Sequence, residues 1–145
     1  MEFSRGLVLF KKIDDMWKVL LVKQINDNYG FPKGHVIGEE SDIETALRET
    51  REEVGITDII VFNEFNYTTV YFVEMNNNYK EVIYFLAIQK SDEKIKILPS
   101  EIKEANYYDF KSALKIISHK DNKKILKKAY KDLKKESKNL FITCD

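Results

Sequence analysis

The chain has 145 residues, 43% of them hydrophobic and 33% charged, which suits one soluble globular domain around a single sizeable core. Its 24 basic side chains balance 24 acidic ones, so no net field draws in nucleic acid or an anionic membrane. The lone cysteine, Cys144, rules out an intramolecular disulfide, fits a reducing compartment and reads as an incidental tail thiol. Without a signal-like N-terminus or an apolar run of membrane-spanning length, a cytoplasmic monomer with no membrane partner is expected.

The first predicted element is a strand over Phe3–Lys11, with Gly6 as a bulge site. Ile13-Asp14-Asp15 turns the chain, and Trp17–Lys23 returns as a second strand. Trp17, the only tryptophan, is assigned to core or sheet-edge packing ahead of ligand stacking, because tryptophan is usually well buried. Asn26-Asp27-Asn28 breaks the pattern, and YGFPKGH at 29–35 forms the entry to a helix.

That helix carries the chemistry. Ser41 followed by Glu44 is a capping box, so the helix starts at or just after Ser41, and Gly55 ends it as a C-cap. Ile43, Ala46, Leu47, Thr50 and Val54 recur at three- and four-residue steps and form the buried face. Glu49, Glu52 and Glu53 lie at i, i+3 and i+4, crowding three carboxylates onto one side. Such like charges are tolerable when a hard dication with oxygen ligands, Mg²⁺ or Mn²⁺, sits among them. From spacing alone, a solvated acidic face with a favourable Arg48–Glu52 pair is an equal reading.

Beyond Gly55, Ile59–Val73 reads as one long bent strand or two joined ones, and Asn76-Asn77-Asn78 as a turn. Lys80–Gln89 is nearly continuous in apolar residues and is placed centrally in a sheet. A shorter run at Lys94–Leu98 follows, then a last short strand over Glu104–Tyr108. Asp109 caps a helix over Phe110–Ile117, and Asp121–Lys138 forms another with Ile125, Leu126, Ala129, Tyr130 and Leu133 on one face. The many lysines of that last helix are read as a solvated outer face ahead of a phosphate-binding patch. No linker, repeat or low-complexity segment divides residues 1–145, and the order of elements predicts an α+β fold.

Gly34, five residues, Glu40, seven residues, Arg48-Glu49, then Glu52-Glu53, one residue, Gly55 and Ile56 together resemble the Nudix box at every fixed position. Thr50 departs from the usual aliphatic residue, and Gly38-Glu39 stands where a Pro-Gly pair is common. The resemblance implies a Nudix-like α/β/α sandwich with a central mixed β-sheet, and hydrolysis of a nucleoside diphosphate linked to another group. It implies Glu52 and Glu53 as principal metal ligands, Glu49 as a third ligand or base, and the Gly34 carbonyl as a further ligand. Glu40 would support Arg48, which would orient the carboxylates. One more ligand or general base is implied in the loop PSEIKE at 99–104, where Glu101 is favoured over Glu104.

The resemblance extends beyond the box, through PKGHV, KEVIYFLA and the tail from Glu136 to Cys144. Over nearly the whole chain it is most similar to asymmetrical diadenosine tetraphosphate hydrolases of the animal and archaeal type. Those enzymes release ATP and AMP. Lys33, His35 and Lys80 could neutralise such a polyphosphate, while Tyr71 and Tyr84 are the candidates for stacking on adenine, with ordinary sheet packing as their alternative. His119 reads as a surface residue at a helix end. An RNA 5′-triphosphate or cap as the substrate, and a catalytically silent nucleotide-binding module, stay open as alternatives.

Overall fold

The computed structural model describes the backbone of residues 1–144 and the side chains of residues 1–138; the Cys144 thiol lies outside the described residues. The framework is a mixed seven-stranded sheet built on a hairpin. Strands β1 (Glu2–Ile13) and β2 (Met16–Gln24) pair antiparallel across Asp14 and Asp15, both with positive φ, a conformation that suits a tight hairpin turn. The sheet runs β3 (Tyr29–Gly30), β2, β1, β6 (Asn78–Gln89), β5 (Ile59–Val73), with β4 (Lys33–His35) on β1 and β7 (Ile102–Tyr108) on β2.

The apolar strand at Lys80–Gln89 is central as expected: it runs parallel to β1 on one side and antiparallel to β5 on the other. Helices on opposite sides of the sheet bury its two faces, hence its nearly continuous apolar sequence. The Ile59–Val73 stretch is one strand, bent where its register shifts between Phe62 and Asn66. A single 3₁₀ turn at Glu74–Asn76, closed by left-handed Asn77, returns it to β6.

Side-chain alternation along the central strands separates two cores. Leu7 and Leu9 of β1 with Phe85 and Ala87 of β6 face helix α1 (Asp42–Val54), meeting Ala46, Val54 and Ile56. Val8 and Phe10 with Tyr84 and Leu86 face the opposite layer, where α3 (Lys120–Cys144) contributes Ile125, Leu126, Ala129 and Leu133. Helix α2 (Phe110–Ile116), capped by Asp109, adds Ala113, and Trp17 packs at the margin of this second core. The result is an α/β/α sandwich. Within the described residues no helix is long and apolar enough to cross a membrane.

One local reading differs from expectation. Gly6 is no bulge, since β1 stays in unbroken register with β6 from Glu2 to Phe10. Its missing side chain serves a close approach instead, because a Cβ there would overlap the Pro32 carbonyl and the Lys33 side chain of β4. The Lys94–Leu98 run is not in the sheet. It lies across the C-terminus of α1, where the Lys96 and Leu98 N–H groups donate to the Val54 and Glu53 carbonyls at 2.8 and 3.0 Å. Helix ends leave such carbonyls unpaired, and here a passing chain satisfies them.

Candidate metal centre and nucleotide cavity

Helix α1 is fixed at both ends. Ser41 and Glu44 form the reciprocal capping box, and Gly55 adopts the left-handed conformation (φ 74°) that ends the helix. Arg5 on β1, almost fully buried, reaches Asp42 at 2.8 Å and Glu81 at 3.0 Å, tying the first turn to the sheet. Nothing in the local sequence marks Arg5 for this role, because its partners are 37 and 76 residues away.

Arg48 lies at the centre of the acidic helix face. Its guanidinium meets Glu40 at 2.6 Å, Glu49 at 2.8 Å and Glu52 at 3.1 Å, and donates to the His35 carbonyl at 2.9 Å. The bond to Arg48 holds the Glu40 carboxyl down at about 2, helped by the Ile37 N–H and the Thr45 hydroxyl. Arg48 thus locks the entry loop, through His35 and Glu40, to the helix that bears the carboxylates.

Three of the predicted carboxylates converge. Ligand oxygens of Glu49, Glu53 and Glu101 all lie within 4.8 Å of one another. Glu101 arrives because the chain crossing the end of α1 closes a turn at Leu98, whose carbonyl accepts from the Glu101 and Ile102 N–H groups. Glu104 points elsewhere, accepting a bond from the Tyr29 hydroxyl. Glu52 is outside the triad, with its side chain about half exposed and its carboxylate on Arg48. Gly34 packs its Cα against the Glu49 carboxyl so closely that any Cβ would overlap it.

The electrostatics of the triad favour a cation. Glu53 is 6% exposed, and burial, then the neighbouring Glu49 charge, push its pKa up to about 8 against the opposing pull of Lys33. Burial likewise raises Glu49, although Arg48 works the other way. Carboxylates that raise one another's pKa are relieved when a dication replaces the protons. Three carboxylate oxygens at this spacing match the hard, all-oxygen donor set of Mg²⁺ or Mn²⁺.

A cavity of about 550 Å³ opens beside this centre. Lys33, His35, Tyr71, Lys80 and Tyr84 all line it, as do Tyr29, His119 and Asn122. It stops short of the carboxylates; Lys33 is the link, with its side chain in the cavity and its backbone N–H bonded to Glu53. Burial first, then the charge of Lys80, lower the Lys33 ammonium to about 8. Two crowded cations beside three crowded anions are poised for a polyanion bridging to a metal.

The tyrosines differ in availability. Tyr71 is 40% exposed on β5, whereas Tyr84 is 1% exposed and meets Phe31 edge-on at 5.1 Å. His119, expected at the surface, is exposed yet also lines the cavity. Tyr29, which carried no site signal in the sequence, is part of the wall as well. Asn122 had no sequence signal either: it comes from the start of α3, some 90 residues beyond the loop that it faces.

The NUDIX domain model matches residues 4–132. The asymmetrical bis(5′-nucleosyl)-tetraphosphatase of Mus musculus is 32% identical over 139 residues, covering 88% of this chain and 92% of that protein. The m7GpppN-mRNA hydrolase of Saccharomyces cerevisiae is also 32% identical, over 117 residues and 77% of this chain, but the chain spans only 11% of that relative's length. Among solved structures, a binary complex of the C. elegans Ap4A hydrolase matches with a TM-score of 0.85 at 25% identity, over 92% of this chain and 98% of that one. The fold, the box and these likenesses agree, and the chain belongs to the NUDIX domain family.

Proposed function

We propose that this protein hydrolyses the polyphosphate bridge of diadenosine tetraphosphate to ATP and AMP, by attack of water on phosphorus. The observation that carries the reading is the junction at Lys33, where a cavity of nucleotide size meets the carboxylate triad. One adenosine would occupy the cavity against Tyr71, and the bridge would pass Lys33, His35 and Lys80 toward the triad. Glu49, Glu53 and Glu101, with the Gly34 carbonyl, would hold Mg²⁺ or Mn²⁺. Such an ion, when bound, neutralises phosphate oxygens and acidifies water. Glu52, outside the triad and tied to Arg48, is the carboxylate left to take the proton of the attacking water. Arg48 positions Glu49 and Glu52 and does not touch the reacting atoms.

The mouse and nematode relatives, both named as hydrolases of this substrate class and matched over most of their length, support this choice. The yeast relative supports a second reading, an RNA 5′-cap or 5′-triphosphate end as substrate. The converged carboxylates weigh against a catalytically silent binding module. Product analysis after incubation with diadenosine tetraphosphate and Mg²⁺ in heavy-oxygen water tests the reading. ATP and AMP as products, with the label in one of them, are expected; an intact substrate beside a cleaved capped RNA would transfer the assignment to the second reading.

A further inference from the structure

Strand β5 ends the sheet, and its outer edge is unguarded. Edge strands usually carry lysine, proline or a bulge that keeps other chains from pairing with them. Over residues 65–73, β5 has neither a charged residue nor a proline, and its register with β6 is unbroken over 66–73. Every second residue of such a strand turns its N–H and C=O away from β6. Among the described residues, the main chain of 66–73 makes no hydrogen bond outside the pairing with β6.

That edge opens on a groove of about 650 Å³ beside α3, lined on the strand side by the five consecutive residues 66–70. Tyr67 and Thr69 turn toward α3, where their hydroxyls donate to Asp132 at 2.7 Å and Asp121 at 2.9 Å. Alternation sends the Asn66, Thr68 and Val70 side chains to the opposite face, so these three meet the groove with their main chain. A bare edge of alternating donors and acceptors is matched by another extended polypeptide.

The surroundings fix the chemistry of that polypeptide. On the α3 side stand Lys124, Lys128, Lys131 and Lys135, all exposed and, among the described residues, in no ion pair. Asp121 and Asp132 offset two of these charges, and the lining keeps a positive surplus. On the α1 side, β5 offers exposed Val70 and Phe72, the latter in T-shaped contact with Tyr79 of β6 at 5.1 Å. A strand added here alternates likewise, with one set of side chains before the lysines and the other beside Val70 and Phe72.

We propose that the outer edge of β5 docks an extended segment of a partner protein in which acidic residues alternate with apolar ones. A second copy is disfavoured, because antiparallel pairing of β5 with β5 sets two lysine rows side by side on one face of the joined sheet. The proposal stands apart from the chemistry at the carboxylates.

The test is fluorescence anisotropy of the full chain with a labelled peptide of about ten residues, alternating glutamate and valine. The combined Lys124→Glu, Lys128→Glu, Lys131→Glu and Lys135→Glu variant should bind it about tenfold or more weakly, and should prefer the same peptide with lysine in place of glutamate. Arginine at the same four positions should retain the affinity. Main-chain pairing is read separately, with peptides N-methylated at the glutamates or at the valines. An added strand bonds through one of its edges, so one of these two should lose binding and the other keep it. Equal affinity for the two methylated peptides would overturn the proposal, as would unchanged affinity in the folded charge-reversed variant. Tighter binding of a single-stranded uridine oligonucleotide than of the peptide would give the groove to nucleic acid. A dimer in sedimentation that excludes the peptide would give the edge to a second copy. Either result refutes the peptide partner.

Discussion

Replacing Gly34 with alanine puts a methyl group where the Glu49 carboxyl now lies. The added Cβ would sit closer than 3.0 Å to the carboxyl carbon and to both its oxygens. Non-bonded carbon contacts settle near 3.5–4.0 Å, so the carboxyl must retreat by roughly 1 Å or more. The atoms in the way are the far end of a flexible side chain, so the helix and sheet need not move. The retreat breaks the 2.8 Å bond from Arg48 and pulls Glu49 out of the group it forms with Glu53 and Glu101. Misplacement by about 1 Å in a catalytic centre costs on the order of 100-fold. Gly34→Ala should therefore lose about two orders of magnitude in kcat/KM, while its stability in urea changes by less than about 1 kcal/mol, as expected of a site away from any core cavity. Steady-state hydrolysis and equilibrium unfolding measured on one preparation check both halves. A Gly34→Ala enzyme with wild-type kcat/KM would refute the placement of Glu49 at the working centre.

The remaining carboxylates should separate by role. Glu53→Gln should abolish turnover and the rise in melting temperature produced by Mg²⁺, while Glu52→Gln should lower kcat by about 10²- to 10⁴-fold and keep the Mg²⁺ effect; equal loss of Mg²⁺ stabilisation in both would merge the two roles. Glu53 also predicts a pH dependence in EDTA. Its folded pKa of about 8 lies above the ordinary 4.5, so between those values the folded state holds a proton that the unfolded state releases. Stability is fully present below pH 4.5 and falls as pH rises toward 8, by an amount on the order of several kcal/mol at most. Glu53→Gln should flatten that slope in chemical-denaturation experiments at pH 5 and pH 8, and an unchanged slope would assign the titration to another group. Tyr71→Ala should raise KM for diadenosine tetraphosphate about five- to 100-fold with little change in kcat, matching a stacking contribution of about 1–3 kcal/mol; a fall in kcat alone would place Tyr71 elsewhere.

Local signals carried far in this chain because the decisive interactions of α1 are short in sequence. The capping box, the glycine stop and the Glu40–Arg48–Glu52 spacing all lie within one loop and one helix, where 3.6-residue periodicity fixes which side chains are neighbours. The same holds for the hairpin at Asp14-Asp15 and for the two-sided burial of β6. Family resemblance, not periodicity, supplied the helices on both faces of the sheet.

Tertiary structure decided what lies between distant segments. Helical spacing treats Glu49, Glu52 and Glu53 alike; only the chain crossing the end of α1, by bringing Glu101 to Glu49 and Glu53, separates Glu52 from the triad. Gly6 looked like a local irregularity, and the reason for its missing side chain is a strand 27 residues away. His119 and Asn122 acquire meaning only when the Tyr29–Gly30 strand comes to lie beside them. The division follows from range: capping, turns and periodicity act within a few residues, whereas a metal cluster or a cavity wall is assembled by contacts that no local spacing encodes.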